Sequence, residues 1–561
     1  MRSENTQKAL KLLDFQRFLW YNISMKNEMD QPENSMEMIQ ISRAEYESLK
    51  SVLETKDACI AELEQQVQWL MEQIRLRNRK DFGSTSEKAS DETLQQMSFL
   101  FNEAEVIFQE EEQEKTCIKS HERRKRSGSV RDIIPEDISV EEVVHELSED
   151  ERKCPKCGEE MSPIGKEVHE TLKIIPARAV LKRDVYITYA CGNCEKNDIS
   201  TPVVKTPKEP AVISGSFASS EAVAYIATQK FDMCSPLYRQ ENYWKHNGLL
   251  LSRQTMANWL IRCSKDWFEP IYDVLHKQLI KHDVLHADET ELQVLHESGR
   301  DAKTKSYMWL YRTSGDAKQA IVLYDYEPGR SGDFAKSFLE GFSGYLQTDG
   351  YSGYNAAANV THIGCFAHLR RKFDEAIKAL PQGKRSPVAE QGVCFCSKLF
   401  DLEQEYDDMG LSYEERRKQR LERSKPVMDE MFAWAQTINP APKSKLGMAF
   451  TYLKNQWPRL CNILLDGRIE LSNNRAERSI KPFVMSRKNF LFANTPLGAK
   501  SSAVIFSLIQ TAKENGLDAY RYLNFVLSQA PKLSLADPSW PEKLTPQYAP
   551  DYCKANARIT E

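Results

Sequence analysis

The chain contains the stretch DVLHADETELQVL at residues 283–295, in which a short apolar run leads to Asp288. Further along, GYLQTDGYSGY at residues 344–354 repeats the arrangement, with a strand-like run leading to Asp349. A single aspartate at the end of a strand is usually a turn or cap residue. Two of them on neighbouring predicted strands weaken that explanation and favour a site that collects carboxylates.

The segments around these two aspartates predict a succession of strands and helices. In chain order they are SYMWLYRT (306–313), AIVLYDYE (320–327), DFAKSFLEGF (333–342), VTHIGCFAH (360–368) and HLRRKFDEA (368–376). The succession predicts an RNase H-like fold, with the order three strands, helix, strand, helix, strand. In that fold the first and fourth strands lie side by side, so that Asp288 and Asp349 would face each other at one end of the sheet.

Converging carboxylates are expected where divalent cations bind. Two hard cations about 3.5–4 Å apart can clamp a scissile phosphate between the attacking and the leaving oxygen. Mg²⁺ prefers oxygen ligands and keeps several waters, so two or three acidic residues are enough. Asp288 and Asp349 therefore predict a site for two Mg²⁺ or Mn²⁺ ions, completed by a third acid.

The third acid is predicted in ELSNNRAERSIKPFVMSRKNFLF at residues 470–492. The Ser-Asn-Asn triplet at 472–474 suits a helix start, which places Glu477 one turn into the helix and Glu470 before it. Residues 441–500 carry eleven Lys and Arg against three Asp and Glu, as docking of a phosphate backbone requires. We prefer Glu477 to Glu470, although a carboxylate among basic residues can also form a plain ion pair.

Two CxxC turns upstream predict a zinc site. CPKCG begins at Cys154 and continues to Cys157, and ACGNC contains Cys191 and Cys194. Four thiolates from two such turns complete a closed tetrahedral site for one structural Zn²⁺, whereas a redox dithiol needs a single CxxC. The intervening LKRDVYITYA (181–190) is expected to form a strand pair.

A heptad pattern near the N-terminus predicts a coiled coil. Apolar residues recur at alternating steps of four and three, with one polar interruption at Lys56. The seam comprises Leu49, Leu53, Lys56, Ile60, Leu63, Val67, Leu70 and Ile74. The alternative is an amphipathic helix that packs on its own domain.

Residues 206–280 are predicted to be helical and to include a helix-turn-helix. The first helix ends at Asn247-Gly248, and Ser252 caps the second, whose Arg253, Gln254 and Asn258 would read bases. A plain helical hairpin in the core is the alternative. Further DNA contacts are predicted for the basic residues of the later segment, Arg475, Arg478, Lys481, Arg487 and Lys488.

The overall charge does not itself indicate a DNA-binding protein. The chain has 76 Lys and Arg against 81 Asp and Glu, a net charge of −5, so DNA contact depends on local basic patches. No stretch approaches the roughly 20 apolar residues of a membrane helix, and no signal peptide is visible. A soluble, cytoplasmic, nucleoid-associated protein without membrane contact is expected.

Several of these motifs resemble the bacterial insertion sequence sixty-six family of transposases, over roughly residues 45–530. The motifs are HADET, FLEGFSGYLQTDGYSGYN, GCFAHLRRKF, SNNRAERSIKPFVMSRKNFLF, LEQQVQWLMEQIRLRNRKDFGSTSEK and the paired CxxC turns. The resemblance implies a leucine-zipper-like N-terminus, a zinc-binding domain, a DDE catalytic domain and a small C-terminal module. It also implies that the acidic triad is Asp288, Asp349 and Glu477, and that accessory proteins of the same element take part.

The function expected is that of a DNA transposase, which cuts the ends of its element and joins them to target DNA by two-metal phosphoryl transfer. The alternatives are a non-catalytic, zinc-containing DNA-binding regulator, an RNase H-like nuclease without strand transfer, and an interaction protein built on the coiled coil. The expected partners are transposon-end DNA, target DNA and further copies of the chain bound through the coiled coil.

The predicted organisation is a multidomain α/β protein. Its parts are an unassigned extension (1–44), a coiled coil (45–88), a charged linker (89–150), a zinc-binding domain (151–205), a helical DNA-binding region (206–280), a catalytic domain (281–500) with a helical insertion at about 374–466, and a C-terminal helical module and tail (501–561).

Replacement of Cys157 by serine is expected to remove the bound zinc and unfold the local module, because structural zinc supplies much of the folding free energy of a small domain. Elemental analysis of the purified protein measures the zinc. Absence of zinc from the unmodified protein, or unchanged zinc in Cys157→Ser, would contradict the assignment.

Overall fold

The computed structural model describes residues 47, 50, 52, 56, 177–190, 203–381 and 383–556. The four cysteines of the predicted zinc site lie outside the described residues, as does most of the predicted coiled coil. Its four described positions, Glu47, Lys50, Val52 and Lys56, are helical. The zinc site and the coiled coil therefore stay predictions.

Helices precede the main sheet along the chain. They are α1 (Ser220–Phe231), α2 (Leu237–His246), α3 (Arg253–Cys263) and α4 (Glu269–Leu279), with a π-helical turn at Ser264–Phe268 between the last two. The predicted cap of α3 is confirmed, since the Ser252 hydroxyl accepts a hydrogen bond of 3.1 Å from the Thr255 amide. Gly248 turns the chain between α2 and α3 at a φ of 80°, which glycine adopts without strain.

A mixed five-stranded sheet follows in the described residues. Its strands are β3 (Val284–Gln293), β4 (Lys305–Thr313), β5 (Val322–Glu327), β6 (Gly344–Gln347) and β7 (Val360–Ile363), in the order β5-β4-β3-β6-β7. β3 pairs antiparallel with β4 and β4 with β5, whereas β3, β6 and β7 are parallel. The expected adjacency of the first and fourth strands is thereby confirmed.

Three details of the strand prediction were wrong. β3 continues past Asp288, because its residues pair with β4 as far as Gln293. The helix expected before the fourth strand is α5 (Gly332–Phe338). The connection from β6 to β7, where a second helix was expected, holds a 3-10 turn at Ser352–Ala356. Finally, LKRDVYITYA does not form a strand pair by itself: only its end forms β1 (Thr188–Ala190), which pairs with β2 (Val203–Lys205).

Helices between residues 366 and 464 surround a second apolar cluster. The helices are α6 (Phe366–Lys378), α7 (Pro387–Asp408), α8 (Tyr413–Gln419), α9 (Lys425–Thr437) and α10 (Lys445–Cys461). The fully buried Arg420 is bonded to both oxygens of Glu403 at 2.7 Å and donates to the carbonyls of Ile463, Asp466 and Ile469. This clamp anchors the chain as it returns toward the sheet.

The remaining helices are α11 (Asn474–Phe490), α12 (Pro496–Glu514), α13 (Ala519–Leu533) and α14 (Trp540–Lys543). α12 covers the edge strand β5: Thr511 accepts a hydrogen bond from the Val322 amide at 3.0 Å, and Ser507 accepts one from the Tyr324 amide at 2.8 Å. One apolar cluster joins α1–α4, the sheet, α11 and α12. The predicted boundaries at 280 and 500 therefore do not separate cores in the structure.

Candidate active site

The register of the sheet brings the two aspartates to the same level. His286 of β3 stands opposite Gln347 of β6 in the parallel pair, and β6 ends there. Asp288 and Asp349 each lie two residues further along. Because paired strands run about 4.8 Å apart, both carboxylates emerge where the β3–β6 pairing ends.

The segment before α11 is tied to this edge of the sheet by side chains. The side-chain amide of Gln347 donates to the Glu470 carbonyl at 2.7 Å, and the backbone amide of Phe366 donates to the Leu471 carbonyl at 3.1 Å. Asn473 is fully buried and donates from Nδ2 to the Ala287 carbonyl at 2.9 Å. The start of α11 is therefore held against β3 and β6.

Residues 472–474 were predicted to cap the start of a helix, and here the structure differs. Asn473 precedes α11, but its side chain makes no capping hydrogen bond. Its Oδ1 lies 3.0 Å from Nδ1 of His286, whose Nε2 lies 3.1 Å from the Ser314 hydroxyl. Burial lowers the pKa of His286 to about 4, so the ring is neutral and donates from Nδ1 to Asn473.

Glu477 follows from the same contact through simple geometry. His286 and Asp288 are two residues apart on β3, which is about 6.6 Å along a strand. Asn473, directly before α11, and Glu477 on α11 are four residues apart, which is about 6 Å along a helix. Because His286 contacts Asn473, a step of two residues along β3 and a step of four residues along α11 bring Asp288 and Glu477 to the same level.

The charges at this edge interact strongly. Burial, and then Glu289, Asp349 and Glu477, raise the pKa of Asp288 well above its ordinary value. Each of these neighbours is a carboxylate whose charge opposes ionisation of Asp288. The predicted acids thus share one electrostatic environment, together with a fourth that the sequence analysis did not identify.

That fourth acid is Glu289, whose side chain is 2% exposed. Tyr354 donates a 2.6 Å hydrogen bond to it, and the Arg330 guanidinium pairs with its other oxygen. Arg330 also stacks over the Tyr351 ring at 3.8 Å. Glu289 is part of the HADET motif, but nothing near it in the sequence identifies Arg330 as its partner.

Glu477 contacts the basic helix α6. Its carboxylate lies 3.3 Å from Nη2 of Arg371 and 3.5 Å from Nδ1 of His368, and its side chain is 6% exposed. Burial, and then Arg371 and Lys372, lower the pKa of His368 to about 3, so His368 faces Glu477 as a neutral ring. Arg371 therefore provides the charged contact.

Glu470 lies in a different environment. It accepts a 2.6 Å hydrogen bond from Arg475 and forms an ion pair with it. Burial would raise the pKa of Glu470, but His286, Arg475 and Arg312 outweigh it, and the net shift is downward. Each of the two acids contacts an arginine, Glu470 at 2.6 Å and Glu477 at 3.3 Å, but of the two it is Glu477 whose charge acts on Asp288.

The loop at Asp349 is fixed from two sides. Asp349 accepts a 2.8 Å hydrogen bond from the Tyr351 amide, and its carbonyl accepts one of 2.9 Å from Tyr452 of α10. Gly350 has a φ of 97°, which favours glycine, and a Cβ there would lie 2.9 Å from the Gln456 side chain. The helical region thus supports the position of Asp349.

The residues predicted to contact DNA differ in exposure. Exposed ones are Arg253, Gln254, Asn258 and Arg478, and half-buried ones are Arg475, Lys481, Arg487 and Lys488. Arg475 is bonded to Glu470, and Arg487 donates to the Thr290 hydroxyl at 3.3 Å. The residues on α3 and those on α11 thus belong to separate elements.

Within the described ranges, no group of three or more His, Cys, Asp or Glu side chains stands ready to hold a metal ion. The carboxylate oxygens around Asp288 nevertheless fit hard divalent cations, which prefer such ligands. The upward pKa shift of Asp288 points the same way, because a cation would offset the repulsion that causes it.

None of the described helices is long and apolar enough to cross a membrane.

Comparison with known families gives matches along most of the chain. Residues 215–501 match the family described as Transposase IS66 family. Residues 151–195 match the zinc-finger binding domain of transposase IS66, and residues 69–143 match a family described as Transposase C of IS166 homeodomain.

Curated relatives occur in Sinorhizobium fredii (strain NBRC 101917 / NGR234), and each is described as an uncharacterized protein. Protein y4jD is 32% identical over 426 residues, which cover 72% of this chain and 80% of the relative. Protein y4hP is 30% identical over 459 residues, 78% of this chain and 80% of the relative. Protein y4qI is 29% identical over 480 residues, 81% and 84% respectively.

Replacement of Asn473 by alanine is expected to lower the free energy of unfolding by about 1–3 kcal/mol, because it leaves the buried His286 ring and the Ala287 carbonyl without their partner. Urea denaturation followed by circular dichroism measures the change. The matched control is Asn489→Ala at the other end of α11, where the hydrogen bonds are 3.4 and 3.5 Å long. Equal effects of the two substitutions would show that Asn473 does not hold α11.

Proposed function

The chain belongs to the IS66 family of transposases, and we propose that it is the DNA transposase of a bacterial insertion sequence, cutting the element's ends and joining them to target DNA. The observation that carries this proposal is the register of β3 and β6, which brings Asp288 and Asp349 to one edge of the sheet, where the charge of Glu477 also acts on Asp288. We assign the catalytic roles to these three acids.

An RNase H-like catalytic domain is part of the proposal. The strand order β5-β4-β3-β6-β7, with the first three strands antiparallel and the last two parallel to β3, supports it. In such a sheet the acids converge where the first and fourth strands lie side by side, and a later helix supplies the third.

Asp288, Asp349 and Glu477 would hold two Mg²⁺ or Mn²⁺ ions. Such ions, when bound, stabilise the charge on the attacking and leaving oxygens of an in-line displacement. Arg371 contacts the Glu477 carboxylate at 3.3 Å. Arg330 bonds to one carboxylate oxygen of Glu289, and Tyr354 bonds to the other. The two arginines thereby orient acids at the edge of the site.

The reaction proceeds in two displacements at phosphorus. Water attacks the phosphodiester at the element's end, the bond to the 3′-oxygen breaks, and a 3′-hydroxyl is released. That hydroxyl then attacks a phosphodiester of the target, and a target 3′-oxygen leaves as the new bond forms. The chain's residues position both DNA strands, and no covalent protein–DNA intermediate is required.

The remaining parts serve DNA binding and assembly. We propose that Arg253, Gln254 and Asn258, exposed on α3, read bases at the element's ends. The cysteine module binds one structural Zn²⁺, and the N-terminal coiled coil joins copies of the chain. Accessory proteins of the same element and a cytoplasmic, nucleoid-associated location complete the proposal.

Asp288→Asn, Asp349→Asn and Glu477→Gln are each expected to lower Mg²⁺-dependent cleavage of element-end DNA by at least about a hundredfold, since metal ions contribute several kcal/mol of transition-state stabilisation. DNA binding and the circular dichroism spectrum should stay unchanged. Gel analysis of cleaved and joined products measures both displacements, so that a nuclease without strand transfer is recognised.

Glu470→Gln is the matched control, because it removes a carboxylate seven residues from Glu477 that is paired with Arg475. Its cleavage rate should stay within about threefold of the unmodified protein, as expected for loss of a partly exposed ion pair. An inactive Glu470→Gln beside an active Glu477→Gln would reverse the assignment of the third acid.

A further inference from the structure

The turn that ends α11 has an unusual backbone. Leu491 has a φ of 65° and a ψ of −48°, and the Phe492 amide donates to the Phe490 carbonyl at 2.8 Å. This is a γ-turn of the rare, strained form. A leucine at positive φ is a conformational outlier, and such strain persists where the surroundings enforce it, often at functional sites.

Hydrogen bonds on both sides hold the turn in place. The Leu491 amide donates to the Arg487 carbonyl of α11 at 2.7 Å. After the turn, the Ala493 amide donates to the Gln293 carbonyl at 2.9 Å, and the Leu295 amide donates back to the Ala493 carbonyl at 3.0 Å. These hydrogen bonds hold the turn against α11 and the end of β3, so that a shift of the backbone to relieve the strain would break them.

The fastened turn exposes two large apolar side chains. Leu491 is 64% exposed and Phe492 is 42% exposed. A glycine would take this backbone conformation without strain, and a polar side chain would be better solvated. Neither stability nor solubility accounts for Leu491 and Phe492 at this position.

The surroundings of the turn are basic. Arg487 and Lys488 lie in the last turn of α11, and burial together with Arg487 lowers the pKa of Lys488. Nζ of Lys488 is buried and has no hydrogen-bond partner in the described part of the chain. Arg239 of α2 donates to Asn489 at 3.4 Å and adds a third cation.

An acid that acts on Arg487 is itself paired with another cation. Glu291 interacts with Arg487 electrostatically, but its carboxylate is paired with Lys305 at 2.8 Å. The exposed Arg239 and the half-buried Arg487 therefore give the surface around Leu491 and Phe492 a positive character, which matches a phosphate backbone rather than an apolar protein face.

We propose that Leu491 and Phe492 form a wedge that enters between base pairs of the element-end DNA and unstacks them. Apolar side chains that project from a basic surface are used in this way by DNA-bending proteins. The proposal rests on the proposed function, since it takes the DNA to be the substrate of the site at Asp288.

The position of the wedge follows from β3. Asp288 and Gln293 are five residues apart on this strand, which is about 17 Å at 3.3 Å per residue. Stacked nucleotides rise about 3.4 Å each, so for a duplex that runs along β3 the unstacked step lies about five base pairs from the scissile phosphate.

Duplexes of the element's terminal sequence, each with one 2-aminopurine placed two to eight base pairs from the cut, provide the probe. Its fluorescence rises when stacking is lost. With the full-length protein we expect a rise of about threefold or more at one or two adjacent positions near the fifth base pair, as insertion at a single step would produce. Equal fluorescence at every position would overturn the wedge.

Leu491→Gly is the decisive variant, because glycine keeps the positive φ, relieves the strain and removes the side chain. Its melting temperature should equal or exceed that of the unmodified protein, while the fluorescence rise is lost. Phe492→Ala should reduce the rise at the same position. Leu535→Ala, at a leucine that is 80% exposed after α13, is the control and should leave the fluorescence unchanged.

The remaining outcomes separate this inference from the function on which it rests. A protein that cuts element ends but whose Leu491→Gly variant keeps the full fluorescence rise overturns the wedge alone. A Leu491→Gly variant with unaltered fluorescence and a lower mass by light scattering would assign the surface to contact between copies of the chain. Failure of the unmodified protein to bind or cut element ends would overturn the proposed function and the wedge together.

Discussion

The buried contact between His286 and Asn473 determines how α11 lies on the sheet, and the arrangement of the acids depends on it. Two residues of a strand and four residues of a helix advance by nearly the same distance, about 6.6 and 6 Å. One fixed contact therefore aligns the following positions, Asp288 and Glu477. The same match recurs on the outer edge, where Ser507 and Thr511 of α12 bond to alternate residues of β5.

The chemistry of the site requires neutral groups behind the acids and cations beside them. The pKa of His286 is lowered to about 4 and that of His368 to about 3, so neither ring adds positive charge at neutral pH. Arg371 and Arg330 contact Glu477 and Glu289 at the periphery. The repulsion is strongest at Asp288, where burial and the charges of Glu289, Asp349 and Glu477 raise the pKa well above its ordinary value.

Much of this arrangement could be predicted from the sequence, because the signals are local. Short apolar runs marked the strands, Ser252 marked the start of α3, and the order of elements placed the first strand beside the fourth. The end of β3 was missed, since the antiparallel partner extends the strand past Asp288. The role of Asn473 was also missed: its type suits a helix cap, and only the folded chain brings His286 within 3.0 Å of it. Arg330 and His368 were not identified for the same reason, because their partners are distant in sequence.

In the proposed function, Asp288, Asp349 and Glu477 form one cation site, whose charges would oppose folding when no cation is bound. The most direct measurement is the melting temperature of the unmodified protein and of Asp349→Asn, with and without Mg²⁺ at constant zinc. The account predicts that saturating Mg²⁺ raises the melting temperature of the unmodified protein by about 5 °C, since a ligand that binds only the folded state stabilises it. Asp349→Asn should be at least as stable as the unmodified protein without Mg²⁺ and should gain nothing from it. Equal stabilisation of both proteins by Mg²⁺, or a metal-free Asp349→Asn that melts well below the unmodified protein, would contradict the account.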